Sequence, residues 1–122
     1  MITIGELLEK LYAVQDRESE VIYDFCNLMP TKIESWRAVY AEPALGWKPR
    51  SYKYNNVTVA MLIEELEKAI DGRAYFGWKG GEYRYTKDSL LHVDNSGEWS
   101  DTALTGLIDC GYQVILTTKR ED

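Results

Sequence analysis

The chain contains a single histidine, His92, which is the first residue to consider in a search for catalysis. Nucleophilic catalysis needs a nucleophile, a base and an orienting group within hydrogen-bond reach of one another. Asp94 could orient the imidazole, and Ser89 or Ser100 could supply a hydroxyl, but their spacing matches no triad or nucleophile elbow. We therefore interpret His92 as a structural or surface residue. A small enzyme that uses His92 is kept only as an alternative function.

Metal and cofactor sites have little support in the sequence. Zinc sites need several Cys or His residues at short spacing, whereas Cys26 and Cys110 lie far apart. The segment 94–98 has oxygen donors around a glycine but lacks the EF-hand register, so a turn explains it equally well. The glycines within 77–81 follow neither the P-loop nor the dinucleotide spacing. The sequence predicts no metal, no cofactor and two reduced, mostly buried thiols.

Length and composition predict one domain that spans residues 1–122. Hydrophobic residues make up 45% of the chain and charged residues 28%, which is an ordinary balance for a globular protein. No apolar run approaches the roughly 18 residues that a membrane span requires. The segment after Met1 has neither a basic leader nor an apolar core of a signal peptide. We therefore expect a cytoplasmic protein with no membrane partner.

Two helices are well marked in the sequence. Thr3 and Glu6 form a T-x-x-E capping box ahead of an apolar stripe at helical spacing, and this helix should end near 13–15. A second helix should begin at Thr58 as N-cap and end at Gly72. Strands are predicted at 21–26, 35–40, 74–78, 82–85, 89–93, 102–108 and 112–118, with a loop at 27–31 and an irregular segment at 41–56. The predicted fold class is α+β, with two amphipathic helices packed on a mostly antiparallel sheet of about five to six strands.

Aromatic and basic residues alternate in the segments 32–54 and 73–87. Together these hold ten of the fifteen aromatic residues of the chain. Trp, Tyr and Arg are enriched at binding hot spots and also stack on nucleobases. The alternative is purely structural, because strands select such alternation to fill a core on one face and meet water on the other.

An acidic stretch offers a second candidate contact surface. The net charge is −6, and the segment 88–109 carries five acidic residues and no Lys or Arg. Such a stretch repels phosphates, so we expect no binding to duplex DNA. The candidate ligand- or partner-binding residues are drawn from all three segments: Trp36, Arg37, Trp47, Arg50, Trp78, Arg84, Asp94, Glu98 and Asp101.

The run Tyr-Asp-Phe-Cys-Asn-Leu-Met-Pro-Thr at 23–31, followed by Ser-Trp-Arg at 35–37, resembles a stretch of small uncharacterised proteins of tailed phages and prophages. The segments 44–47, 77–83 and 111–116 are similar to other parts of the same family. The resemblance covers most of the chain and brings no catalytic residues with it. It implies a phage protein that acts by occupying host machinery, as anti-CRISPR proteins and nucleic-acid mimics do.

Three functions follow as hypotheses. The first is a non-enzymatic binding protein that inhibits or sequesters a host component, most directly a protein of a defence system. The second is a sponge that sequesters a host signalling nucleotide in a pocket built by Arg37, Arg84 and nearby aromatics. The third is the small enzyme that uses His92. A homodimer is compatible with all three.

Overall fold

The computed structural model of the chain describes residues 1–36, 39–50, 56–77, 79–94 and 102–120. Both predicted helices are confirmed, α1 at Ile4–Tyr12 and α2 at Val59–Ala69. The capping box of α1 is formed as expected, since the Thr3 hydroxyl and the Glu6 carboxylate each accept the other residue's backbone N–H at 3.1 Å. Helix α2 has Thr58 as its N-cap, as predicted, but its C-cap is Ile70, two residues before the predicted Gly72.

Within the described ranges, eight strands accompany the helices. They are β1 (Glu20–Tyr23), β2 (Leu28–Ser35), β3 (Pro43–Pro49), β4 (Tyr75–Phe76), β5 (Glu82–Tyr83), β6 (His92–Val93), β7 (Thr102–Asp109) and β8 (Gln113–Arg120). Six of them form one sheet in the order β1-β8-β7-β6-β3-β2, and β4 and β5 form a separate two-stranded sheet. The α+β class and the mostly antiparallel sheet are therefore confirmed.

The larger sheet is mixed, which the sequence did not predict. β1 lies parallel to β8, and β3 lies parallel to β6, while the other pairs are antiparallel. Both parallel pairs join strands that are far apart in the sequence. No local pattern records such long-range pairing, because each strand carries the same alternation whichever way its neighbour runs.

The larger sheet curls back on itself. β1 forms one edge and β3 lies four strand positions away from it, so in a flat sheet the two would lie about 19 Å apart at the usual strand spacing. The buried Tyr23 hydroxyl of β1 nevertheless donates to the Gly46 carbonyl of β3 at 2.8 Å, with the Leu45 carbonyl at 3.3 Å. The sheet therefore wraps around a core in which β1 and β3 meet.

Three secondary-structure predictions were wrong around the prolines of the first half. The predicted loop 27–31 belongs largely to β2, and Pro30 lies beside an irregularity of register where a missing N–H does little harm. The irregular segment predicted for 41–56 contains β3, whose Pro43 and Pro49 stand at its two ends. Conversely, among the described residues of the predicted strand 35–40, only Ser35 lies in a strand.

The prediction of buried thiols was also wrong. Cys26 and Cys110 are both free and exposed. Cys26 was assigned to a strand that in fact ends at Tyr23, and it lies instead in the turn before β2. Its backbone φ is 55° and that of Asn27 is 51°, a left-handed conformation that places the thiol outside the core.

Candidate binding surface

His92 is enclosed by the protein. Its imidazole lies flat on the Trp36 indole, with ring centroids 3.5 Å apart and planes 8° apart. The Nε2 atom lies 3.2 Å from a carboxylate oxygen of Glu42. Only 5% of His92 is exposed and only 9% of Trp36, so neither ring presents a surface to a substrate or partner. The arrangement is that of a packed, hydrogen-bonded core histidine.

The described residues offer no metal centre and no helix suited to a bilayer. Within them, no three side chains of the types His, Cys, Asp and Glu come together as a possible metal site. None of the helices in the same residues has the length and apolar character needed to cross a membrane.

The described residues of the aromatic and basic segments do not form one surface. Tyr75 and Tyr85 are buried in the core, and Trp47 packs against its margin. Arg84 is exposed but already engaged, because its guanidinium contacts the Glu82 carboxylate at 2.7 Å and donates to the Gly72 carbonyl at 3.2 Å. Two of the candidates, Arg37 and Trp78, lie outside the described residues. The structural alternative explains the described aromatics of these segments, with the exception of Phe76.

Arg50 is engaged within the chain. Its guanidinium pairs side-on with the Glu20 carboxylate, with Nη2 at 2.9 Å from Oε2 and Nε against Oε1. The two side chains are 24% and 15% exposed. A two-point contact of this kind fixes both groups in orientation, so Arg50 serves the fold rather than an open contact surface.

The acidic candidates are only partly described. The backbone N–H of Asp94 donates to the Leu45 carbonyl at 2.8 Å, which anchors the end of β6 to β3. Glu98 and Asp101 lie outside the described residues. Asp109, at the end of the same stretch, is exposed and accepts a hydrogen bond from the Gly111 N–H at 2.8 Å.

Burial governs the titration of the core tyrosines. Burial raises the pKa of Tyr23 well above its ordinary value, and the negative charge of Asp94 adds to the effect. Burial likewise raises the pKa of Tyr75 and Tyr85, against smaller lowering effects from Arg73 and Ser35 respectively. All three hydroxyls therefore stay protonated at neutral pH and act as hydrogen-bonding or packing groups.

One apolar feature outside the core is a row of three isoleucines. Ile22 of β1 pairs with Ile115 of β8, and Ile115 pairs with Ile108 of β7, so the three side chains lie side by side across adjacent strands. Their neighbours Val21, Val114 and Leu116 are buried, which puts the isoleucines on the opposite face of the sheet. Ile108 is 54% exposed, and the other two are half-buried. We call Ile22, Ile108 and Ile115 the isoleucine face.

Shallow hollows flank the isoleucine face. One, of 350 Å³, is lined by Ile22 and Ile115 together with Phe25 and the left-handed turn at Cys26 and Asn27. Another, of 650 Å³, is lined by the exposed side chains of Met61 and Tyr112 and by acidic and polar groups: Glu18, Glu20, Asn56 and Thr58. Apolar side chains framed by polar ones are the usual composition of a protein contact surface.

Sequence reasoning missed the isoleucine face, although part of its signal was visible. The alternation of β8 separates Ile115 from Val114 and Leu116, and that of β1 separates Ile22 from Val21 and Tyr23. The register that aligns Ile22, Ile115 and Ile108 depends on the parallel pairing of β1 with β8, which no local pattern encodes.

Comparison of the chain with protein-family models, with curated proteins and with solved structures finds no match.

Proposed function

We propose that the chain is a non-enzymatic binding protein and that the isoleucine face is its contact with a partner protein. The observation that carries the proposal is the alignment of Ile22, Ile115 and Ile108 on a sheet face away from the core. The open face of an antiparallel sheet normally carries polar side chains, and contiguous exposed apolar residues mark interaction sites. Full burial of one such side chain contributes about 1.5 to 3 kcal/mol.

The charges around the face indicate the chemistry of the partner. Asp24 lines the hollow that contains Ile22 and Ile115, and Glu18 lines the hollow that contains Tyr112. An acidic rim around an apolar centre favours a partner that presents apolar residues framed by Lys or Arg, because complementary charge speeds association and disfavours other partners. The net charge of −6 also favours a partner that carries Lys or Arg around its contact surface.

The partner that we propose is a host protein, most directly a component of a defence system, which the chain inhibits or sequesters. Two arguments support this identity. The first is the resemblance of 23–31 and 35–37 to small phage proteins, and the second is the enclosed state of His92, which leaves binding as the simpler mode of action. An inhibitor that occupies a surface of its target requires a contact face and no catalytic centre.

Affinity capture from a host lysate with matched variants tests the proposal. Wild-type protein and the Ile108→Lys, Ile115→Lys and Val39→Lys variants are used as bait, since Val39 is a β-branched residue that is 47% exposed elsewhere on the chain. We expect that a host protein is captured by the wild type and by Val39→Lys but by neither isoleucine variant. The melting temperature of Ile108→Lys should equal that of the wild type. Capture of the same proteins by all four baits would contradict the assignment of the face.

A further inference from the structure

A groove separates the two sheets of the protein. Its volume is 430 Å³, and it runs between β2, an edge strand of the larger sheet, and the segment 73–77 that contains β4. One wall is formed by Lys32, Ile33, Glu34 and Ser35, and the other by Arg73, Ala74, Tyr75, Phe76 and Gly77. Both walls are therefore strand edges.

The peptide groups of β2 alternate between β3 and the groove. The N–H of Trp36 donates to the Glu42 carbonyl at 2.8 Å, continuing the ladder with β3. Peptide groups of successive residues in an antiparallel strand point in opposite directions. Those of Ile33 and Ser35 must therefore point away from β3. The N–H of Ile33 confirms this direction, since it donates to the Glu65 carboxylate of α2 at 2.9 Å rather than to β3. The N–H and C=O of Ser35 then also face the groove.

The peptide groups of β4 alternate in the same way. The N–H of Gly77 donates to the Gly81 carbonyl at 3.1 Å across the hairpin, and Tyr75 pairs with Tyr83 of β5. Phe76 and Ala74 therefore turn their peptide groups towards the groove. Cα atoms of β2 and β4 come within 8 Å, but the strands belong to separate sheets. Two strand edges thus face one another without pairing.

The side chains at the rim add an apolar group and positive charge. Phe76 is 72% exposed beside the groove. The Lys32 and Arg73 side chains are 66% and 49% exposed. Their nearest recorded carboxylate contacts, at 3.6 Å with Glu34 and 3.9 Å with Glu65, are longer than hydrogen bonds.

Lys32 and Arg73 therefore keep N–H donors that can bind a further acidic group. The N–H of Ile33 and the Arg73 guanidinium share the Glu65 carboxylate, so Lys32 and Arg73 lie towards the same end of the groove.

We propose that this groove binds an extended peptide segment of a partner by strand addition, with an acidic residue of that segment at the Lys32 and Arg73 end. An added strand satisfies peptide groups on both walls at once, which is the basis of recognition by β-augmentation. Accommodation requires the β4–β5 hairpin to move outward until β2 and β4 lie at twice the usual strand spacing, about 10 Å apart. Phe76 would then cover the outward side chain of the bound segment. The site is separate from the isoleucine face and does not rest on it.

Selection from a displayed library of random twelve-residue peptides tests the proposal, with wild-type protein as target and the Lys32→Glu/Arg73→Glu variant for counter-selection. The matched control is Lys87→Glu/Lys119→Glu, which makes the same charge change at two exposed lysines elsewhere. We expect enriched peptides with alternating residues and an acidic position. Their affinity should fall about tenfold or more with the groove variant and stay unchanged with the control. N-methylation of alternate peptide residues should weaken binding by a similar factor, because it removes main-chain donors.

Three outcomes would overturn the proposal: no enrichment on wild type over the groove variant, equal binding of N-methylated peptides, or equal loss with the control variant. Binding of the selected peptides to the Ile108→Lys variant separates this site from the proposed function. If the selected peptides bind Ile108→Lys with the wild-type affinity, the groove is supported, even where the isoleucine face proves not to bind a partner. Peptides that lose affinity for Ile108→Lys would place the site elsewhere and overturn the groove.

Discussion

Arg50 and Glu20 join opposite sides of the six-stranded sheet by a two-point ion pair. Arg50 directly follows β3, next to one edge strand, and Glu20 begins β1, the other edge strand. Together with the hydrogen bond from Tyr23 to Gly46, the pair holds the curled sheet closed near both ends of β1. The curvature of the sheet is thus fixed by a few polar contacts as well as by the apolar core.

Removal of either partner of this ion pair should destabilise the fold. For Arg50→Ala, Glu20→Ala and the double variant, we expect a coupling energy of about 1 to 2 kcal/mol, because both charged groups are mostly buried and hydrogen-bonded. Arg50→Lys should not restore it, since a lysine cannot make the side-on contact. Urea denaturation measures each free energy of unfolding. The exposed pair Glu64 and Lys68 is the control and should show no measurable coupling. A coupling no larger than that of the control would contradict the structural role of Arg50.

Tyr23→Phe should lower stability by about 1 kcal/mol at neutral pH, because the Gly46 carbonyl loses its buried donor. The raised pKa of Tyr23 also predicts the alkaline behaviour of the wild type. Since the folded-state pKa lies above the unfolded value near 10, the stability contribution is complete below pH 10 and is lost as the pH rises towards the folded pKa. Urea denaturation between pH 8 and 11 measures this slope. The slope should be shallower in Tyr23→Phe and unchanged in Tyr112→Phe, whose ring is 81% exposed. Identical slopes in all three proteins would argue against the assignment.

Gly46→Ala should destabilise the protein by about 1 to 3 kcal/mol, because a Cβ at this position would collide with the Thr31 hydroxyl of β2. Combining it with Thr31→Ala should recover most of the loss, since that change removes the colliding oxygen. Thermal unfolding of the single and double variants measures the effect. Gly106→Ala is the matched control, with its nearest contact at an ordinary 3.4 Å. The absence of rescue by Thr31→Ala would show that the collision is not the cause.

Trp36 variants test how much the stack of Trp36 on His92 contributes to stability. Trp36→Ala should cost about 3 to 5 kcal/mol, as expected for a buried aromatic side chain. Trp36→Phe should cost clearly less, because it keeps a ring on His92 and removes an indole N–H that is buried without a hydrogen-bond partner among the described residues. Chemical denaturation supplies the comparison. Equal losses in the two variants would show that the phenyl ring does not preserve the stack.

The helices could be predicted because their signals are local. The caps at Thr3 and Thr58 and the apolar spacing behind each of them are contained within a dozen residues. The strand β3 was missed because Pro43, Gly46 and Pro49 are usually strand breakers. In this fold the two prolines stand at the strand ends, and the glycine stands where β2 approaches too closely for a side chain.

The candidate site was less predictable than the fold. Trp36 and Arg50 have residue types that favour binding, but their roles depend on His92 and Glu20, which are distant in the sequence. The isoleucine face likewise exists only because β8 brings Ile22 and Ile108 to either side of Ile115. Composition reports which side chains are present, whereas their exposure is decided by strand register.

The hydrogen bond from Ile33 to Glu65 has a consequence for self-association. Glu65 belongs to α2, so the carboxylate that occupies this N–H is present only while that helix is folded and docked. A partly unfolded molecule that has lost α2 would uncover the N–H of Ile33 on the outer edge of β2, and an uncovered edge pairs readily with another chain. The tendency of this protein to aggregate on heating should therefore follow the stability of α2 more closely than that of the sheet.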